Sequence, residues 1–549
     1  MEPENRASQI TLTDERTPLL SSPPKSSKTA APSTSLGANK WQIIILSFSR
    51  FAEVLFPLII GVTLTTTLPF VNHMVEDLRI TRDPEKVGYY VGLIESSFAL
   101  AQFLTVFQWG RLSDLYGRKP IILMSLLVVS FASISFGLSK SYSAMIFSRV
   151  AAGALNGLIG CVKSMIGELT DEHNQARAFA ILMVCWSSGA IIGPLIGGYL
   201  SQPTTRYPNF FGHGNPFHDF LRQYPYALPT TVAALLPLFA FFVILFFGQE
   251  TYKMKLSHKK HVPPSDEEGE EEDIDEEEEE GRGRSNSPSR KFKHAMRALM
   301  TRQIALLLLN YFVLAFQVIC LQSLLTLFCY TPVLIGGLGF TVSDIGKALS
   351  FLGFCSMLNQ FFIFPKLQRA LGTLRLYRSA MLVYPIVFAL FPVCNAVARA
   401  HYTPPPPENN EYKRYVWPAL GTLLGLRVFA DLVWASLLVC LLSSSANICF
   451  ISPSRSLLGS LNGVTQSAAS LGRGLGPMSA TSLFALSIDY NLLGGKLIWY
   501  AMICWTGVGV ASSWLLQEIK PKWREGTKER RDEVLVAEAG ALEEEEAVF

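Results

Sequence analysis

Gly110-Arg111-Leu112-Ser113-Asp114-Leu115-Tyr116-Gly117-Arg118-Lys119-Pro120 separates two long apolar stretches, residues 88–109 and 121–139. An apolar helix ends, the chain turns on glycine, a basic cluster stays in water, and a second apolar helix begins. Lys and Arg beside a short loop mark the cytoplasmic side of a membrane, so the run implies a chain that crosses a bilayer repeatedly. Composition agrees: of 549 residues, 49% are hydrophobic, 36 are Phe and only 17% are charged. With a mean hydropathy of +0.29, the chain does not read as an ordinary soluble domain. The net charge of +3 averages an acidic loop against basic edges and gives no sign of nucleic-acid binding. The nine cysteines are scattered, none in a C-x-x-C pair, and read as small packing residues.

A bilayer core of ~30 Å needs about 20 apolar residues per helix. Twelve stretches qualify: 42–70, 88–109, 121–139, 142–166, 177–200, 226–247, 304–330, 344–364, 376–394, 427–451, 460–486 and 496–516. Arg111, Arg118, Lys119, Arg177, Lys366, Arg369, Arg375, Arg378 and Arg455 fall on the even-to-odd connections, which puts both termini and the central loop in the cytoplasm. The organisation that follows is a Ser- and Pro-rich tail (1–40), a six-helix half (41–247), an acidic linker (248–302), a second six-helix half (303–518) and a C-terminal tail (519–549). The linker holds a Glu run from Glu276 to Glu280, a composition that predicts disorder in water rather than a core. An internal repeat supports two homologous halves. Gly189, Gly193, Pro194, Gly197 and Gly198 close the fifth helix, and Gly472, Gly476 and Pro477 occupy the matching place in the eleventh. Small residues four apart let helices approach closely, and proline bends a helix.

The Gly110–Pro120 run resembles the loop between helices 2 and 3 of the major facilitator superfamily. Gly110, Leu112, Asp114, Gly117, Arg118 and Lys119 match its pattern, and Leu115 departs from it. Arg149-Val-Ala-Ala-Gly153 is similar to an element of helix 4 in proton-coupled members. The 189–198 element resembles the antiporter motif of helix 5, with Ala180 where an upstream glycine is usual. Gln249-Glu250-Thr251 is similar to the close of the first half in twelve-helix drug:proton antiporters. Gly153–Gly160 leading to Glu168, Ile192–Leu200, and Gly459–Gly463 through Pro477 resemble the zinc-induced-facilitator-like branch and its fungal relatives. The plant members' Cys-rich motif and their histidine after the first half are missing, since Tyr252 follows Thr251. The resemblance implies an all-α membrane protein of twelve helices in two pseudo-symmetric halves, with a site between them. It also implies a gating role for Gly110, Asp114, Gly117, Arg118 and Lys119, which clamp the cytoplasmic ends. Arg118 then needs an acceptor, for which Glu168 is placed, and Asp114 favours the positive end of a neighbouring helix.

Charges inside a membrane are costly and need a reason, ~2.5–3.5 kcal/mol each on insertion scales. Glu53 lies near the midplane of the first helix. Glu95 and Arg149 sit at equal depth on helices 2 and 4, ~10 Å from the outer face at 1.5 Å per residue. Arg473 stands between two glycines of helix 11. One reading makes Glu53, Glu95 and Arg149 a proton and cation relay; the other makes Glu95–Arg149 a fixed structural pair. Arg473 either binds an anionic group or reaches toward polar backbone. Arg427 and Asp431, four apart at the start of the tenth stretch, share a face and pair with each other. All eight histidines fall in predicted loops, so no transmembrane metal site is expected, and no cofactor.

Without a G-x-x-x-x-G-K-S/T loop, H-E-x-x-H or a Ser/His/Asp grouping, the chain reads as neither an ATP-driven pump nor an enzyme. The favoured function is a secondary carrier of a small solute, working by alternating access in exchange for protons, as a monomer in the lipid bilayer. A proton-independent uniporter and a non-transporting sensor with the carrier fold are the alternatives. Glu15-x-x-x-Leu19-Leu20 matches an acidic dileucine sorting signal. It implies a sorting adaptor as partner and favours a vacuole- or lysosome-like membrane, with the plasma membrane second.

Overall fold

The computed structural model describes residues 58–157, 161, 172–247, 302–402, 412–437 and 456–516, with short gaps at 60, 82, 158–160, 212–216 and 434–435. Among them every regular element is helical. The principal helices are α1 (Val71–Asp77, just past the first apolar stretch), α2 (Val87–Tyr116), α3 (Arg118–Gly137), α4 (Tyr142–Ala154), α5 (Glu172–Leu200) and α6 (Ala227–Phe247). The second half contributes α7 (Arg302–Tyr330), α8 (Val342–Leu358), α9 (Val383–His401), α10 (Tyr412–Ala430), α11 (Ser456–Asp489) and α12 (Leu497–Trp514). Seven helices among the described residues are long and apolar enough to cross a membrane.

Local chemistry sets the boundaries. Gly117 joins α2 to α3 with φ 98°, a conformation glycine adopts without a Cβ clash. Ser141 and Thr341 cap α4 and α8, their hydroxyls accepting from Ala144 N and Asp344 N. α8 passes through a π-helical turn, Asn359–Ile363, before continuing as Phe364–Leu371. α10 begins at Tyr412, well before the position 427 expected from hydropathy. Lys413, Arg414 and Pro418 break the apolar run there without breaking the helix.

The halves meet through two crossings, α2 on α11 and α5 on α8. Both depend on close backbone approach. A Cβ on Gly346 of α8 would stand 2.7 Å from Pro194 O and 2.9 Å from Gly198 Cα. A Cβ on Gly474 of α11 would meet Leu100 of α2 at 2.7 Å. Within the halves, α5 lies against the first helix through Gly189, Gly193 and Gly197, and α11 lies against α7 through Gly472 and Gly476. One apolar core runs across, from Phe70, Phe136 and Met145 to Phe328, Phe391 and Trp499.

Candidate functional site

Glu95 points from α2 at the other half: Ser323 Oγ of α7 donates to its Oε2. Its second oxygen, Oε1, is buried without a partner. Arg149 of α4 donates from Nη2 to Thr67 Oγ1 at 2.8 Å, and its guanidinium lies 4.2 Å from the centroid of the Phe136 ring. Glu95 and Arg149 therefore share a region but form no direct ion pair; each has taken another partner. Beside Arg149 lies a cavity of about 30 Å³ lined by Thr63, Thr67, Phe136, Ser148 and Asn156 among others, room for roughly one or two waters. A half-buried carboxylate with one bond and one open oxygen is a group on which a proton can come and go. A charged carboxylate in such a place must be compensated, and one proton removes that need.

The second half holds a counterpart. Arg427 of α10 is 4% exposed and donates from Nη2 to Gln322 Oε1 on α7. It makes no ion pair with Asp431, which corrects the pairing expected from their spacing. With α10 starting at Tyr412, Arg427 is about 15 residues along it, or ~22 Å at 1.5 Å per residue, and not at its mouth. The correspondence with Arg149 was present in the sequence and went unread: Arg149-Val150-Ala151-Ala152 and Arg427-Val428-Phe429-Ala430 share Arg-Val-x-Ala. Arg473 of α11 donates to Ser470 Oγ at 3.2 Å, and its Nε has no partner.

At the Gly117 end, Arg118 donates to Ser113 Oγ within its own turn, and Lys119 Nζ donates to Leu245 O of α6 at 3.2 Å. Gly110 is exposed and meets no neighbour. Asp114 lies on α2, but its side chain is outside the described residues. So are Glu168, Glu53 and the tail residues Glu15, Leu19 and Leu20.

The opposite end carries a cluster that hydropathy left as ordinary loop. Tyr330 of α7 donates to Glu76 Oε2 of α1 at 2.7 Å, joining the halves. Tyr226 and Gln202 both donate to Asp77 Oδ2, the latter at 2.8 Å. His73 sits edge-on to Tyr330, ring centroids 4.8 Å apart, with Nδ1 4.0 Å from Glu76 Oε2. Lying past the membrane-spanning stretch, His73 has its pKa lowered from 6.5 by burial, against the pull of Glu76 and Asp77. A lowered pKa means that the packed state prefers neutral His73. Closure at this end is therefore fully supported above about pH 6.5 and weakens as pH falls below it. Spin labels at Arg79 and Leu334, exposed positions in opposite halves, are expected to move apart between pH 7.5 and 5.5, and His73→Gln to flatten that response. Tyr330→Phe is expected to loosen the same distance at all pH values, by removing a hydrogen bond worth ~1 kcal/mol.

Comparison with known proteins agrees with this architecture. The family model of the Major Facilitator Superfamily matches residues 54–477. The chain is 32% identical to the "Major facilitator-type transporter psiT2" of Psilocybe cyanescens, over 83% of this chain and 88% of the relative. It is 27% identical to "Protein ZINC INDUCED FACILITATOR 1" of Arabidopsis thaliana, over 82% and 87%. Among solved structures, the human organic anion transporter MFSD10 superposes with a TM-score of 0.52 at 18% identity, covering 86% of this chain and 99% of that one. The branch expected from Gly153–Gly160 and Ile192–Leu200 is among the relatives, beside fungal multidrug transporters and efflux pumps. A match this long, on two helical halves that cross through glycine contacts, makes the chain a member of the Major Facilitator Superfamily, a multi-pass membrane transporter and not an enzyme.

Proposed function

We propose that this chain is a proton-coupled antiporter of a small solute, with Glu95 as the residue that couples the proton to the change of access. The observation that carries this reading is the Glu95–Ser323 bond, which spans the two halves and leaves one carboxylate oxygen open. A charged Glu95 holds α2 to α7. A proton on Glu95 weakens it as an acceptor from Ser323 and lets the halves rock. Arg149 acts from a distance as the positive charge that favours return of the ionised form, and the small cavity beside it supplies water to the path. Glu53 is the second carboxylate on this path, and Arg473 a contact for the solute.

In this reading the His73 end faces away from the cytoplasm and the Gly117 end faces it, with both termini cytoplasmic. The Tyr330–Glu76 and Gly198–Gly346 contacts then close the outer side. Asp114, Arg118, Lys119 and Glu168 close the inner side in the other half of the cycle. The dileucine match favours a vacuole-like membrane.

The test is proton movement in proteoliposomes of the purified chain, offered cationic drugs, organic acids and metal ions in turn. Proton flux set off by one solute is the expected result. Solute uptake with no proton flux would establish the uniporter instead, with Glu95–Ser323 a fixed latch.

A further inference from the structure

The polar interior of the second half holds a buried arginine that is only partly satisfied. Arg427 Nε and Nη1 are buried without a hydrogen-bond partner, and Tyr384 and Gln317 lie near them. They belong to one neighbourhood. Tyr384 of α9 is within electrostatic reach of both Arg427 and Asp431, and Gln317 of α7 faces it. Gln317 spends its amide on Met381 Sδ at 3.3 Å, a weak acceptor. Asp431 stands beside Ser356 of α8 and is partly exposed. Asn359, the first residue of the π-helical turn, donates to Val428 O at 2.7 Å and fixes the backbone of α10 next to Arg427. Such turns are frequent at functional sites.

A buried donor left open is costly, and more so on a charged group. A guanidinium held by Gln322 at one nitrogen and open at the other two is thus poised for an acceptor. Carboxylate, sulfonate and phosphate oxygens suit it best, because the planar cation presents its N–H groups in the plane that an oxyanion fills. Asp431 does not supply that acceptor, since no ion pair joins the two. Asp431 is the more exposed of the two, Arg427 being buried.

We propose that Arg427 is a recognition point for an acidic group on the transported solute, reached past Asp431, with Tyr384 and Gln317 completing its polar wall. This needs the chain to be a carrier and holds with or without proton coupling. Asp431 opposes a second negative charge, so removing its carboxyl strengthens the pull of Arg427 on an anion.

The test uses Asp431→Cys in the full-length chain in lipid nanodiscs. The probes are the sulfonatoethyl and trimethylammonioethyl methanethiosulfonates, anionic and cationic, with labelling of position 431 read by peptide mass spectrometry. Rates are referenced to glutathione in solution. The anionic probe is expected to be favoured, and the anion-to-cation ratio to fall by roughly 10-fold when Arg427→Gln is added, a modest part of what a unit charge a few ångström away can exert. Arg427→Lys is expected to keep the preference. Equal ratios with and without Arg427, or no labelling of Cys at 431 by either probe, would overturn the proposal and leave a hydrated structural arginine. Should Arg427→Gln not fold, the single variant decides: preference for the anion supports the subsite, and its absence removes it.

Discussion

Glu95→Gln is expected to abolish solute accumulation against a gradient while leaving solute exchange intact. With one-for-one exchange, a gradient of one pH unit supplies ~1.4 kcal/mol and so sustains about a tenfold solute ratio. A glutamine cannot release a proton, so that ratio is expected to fall to about one in the variant. The amide still accepts from Ser323, and the buried carboxylate charge is gone, so the fold is expected to be at least as stable as before. Counterflow, in which labelled solute exchanges with unlabelled solute across the same vesicle, separates the two outcomes. Retained counterflow without accumulation is the signature of lost coupling. Loss of both would mean that Glu95 holds the solute or the fold, and unchanged accumulation would remove it from the proton path. Arg149→Lys is the informative companion, since it keeps the charge near Glu95 and gives up the planar contact over Phe136.

The second large effect is expected at the α5–α8 crossing. Gly346→Leu places a side chain where Pro194 O and Gly198 Cα already lie at contact distance. Neither neighbour can swing aside, because both contacts are backbone. Overpacking of this kind costs about 1–3 kcal/mol, enough to shift a two-state equilibrium by ~10-fold or more. The strain falls on the end where the halves are joined by Tyr330 and Glu76, so the variant is expected to populate the form open there. The Arg79–Leu334 label distance should lengthen, and a thiol at Ser350, now buried near Ile191, should become reactive. An unchanged distance in a folded protein would show that this crossing does not set the conformational balance. A change in one vesicle face's thiol reactivity without a change in distance would place the strain elsewhere.

Much of the architecture is legible in the sequence, because hydropathy and basic loops report the order of helices directly. Gly117 and its basic neighbours mark the α2–α3 turn, and the repeated Gly-x3-Gly-Pro of α5 and α11 marks two of the four helices that carry the inter-half contacts. Position along a helix is legible too, hence the shared depth of Glu95 and Arg149. Direction around the helix is not: a sequence gives the distance along the axis, while the partner depends on which faces meet. Glu95 turned to Ser323 and Arg149 to Thr67. The start of α10 was hidden for a different reason, since Lys413, Arg414 and Pro418 lower the hydropathy of a segment that remains helical. His73 was passed over because a polar stretch after an apolar run looks like loop, although there the chain forms one more helical stretch and buries the ring against Tyr330.

The crossed arrangement of α2 with α11 and α5 with α8 has a bearing on how the protein is made. Translation delivers the first six helices to the membrane before α8 and α11 exist. Until then, the glycine face of α5 around Gly198 and the α2 face bearing Glu95 have only lipid beside them. Faces rich in small and polar residues seek other helices, so a stalled or truncated first half is a sticky intermediate rather than a finished unit. A nascent chain of this design depends on reaching Gly346 and Gly474 before another protein fills the vacancy.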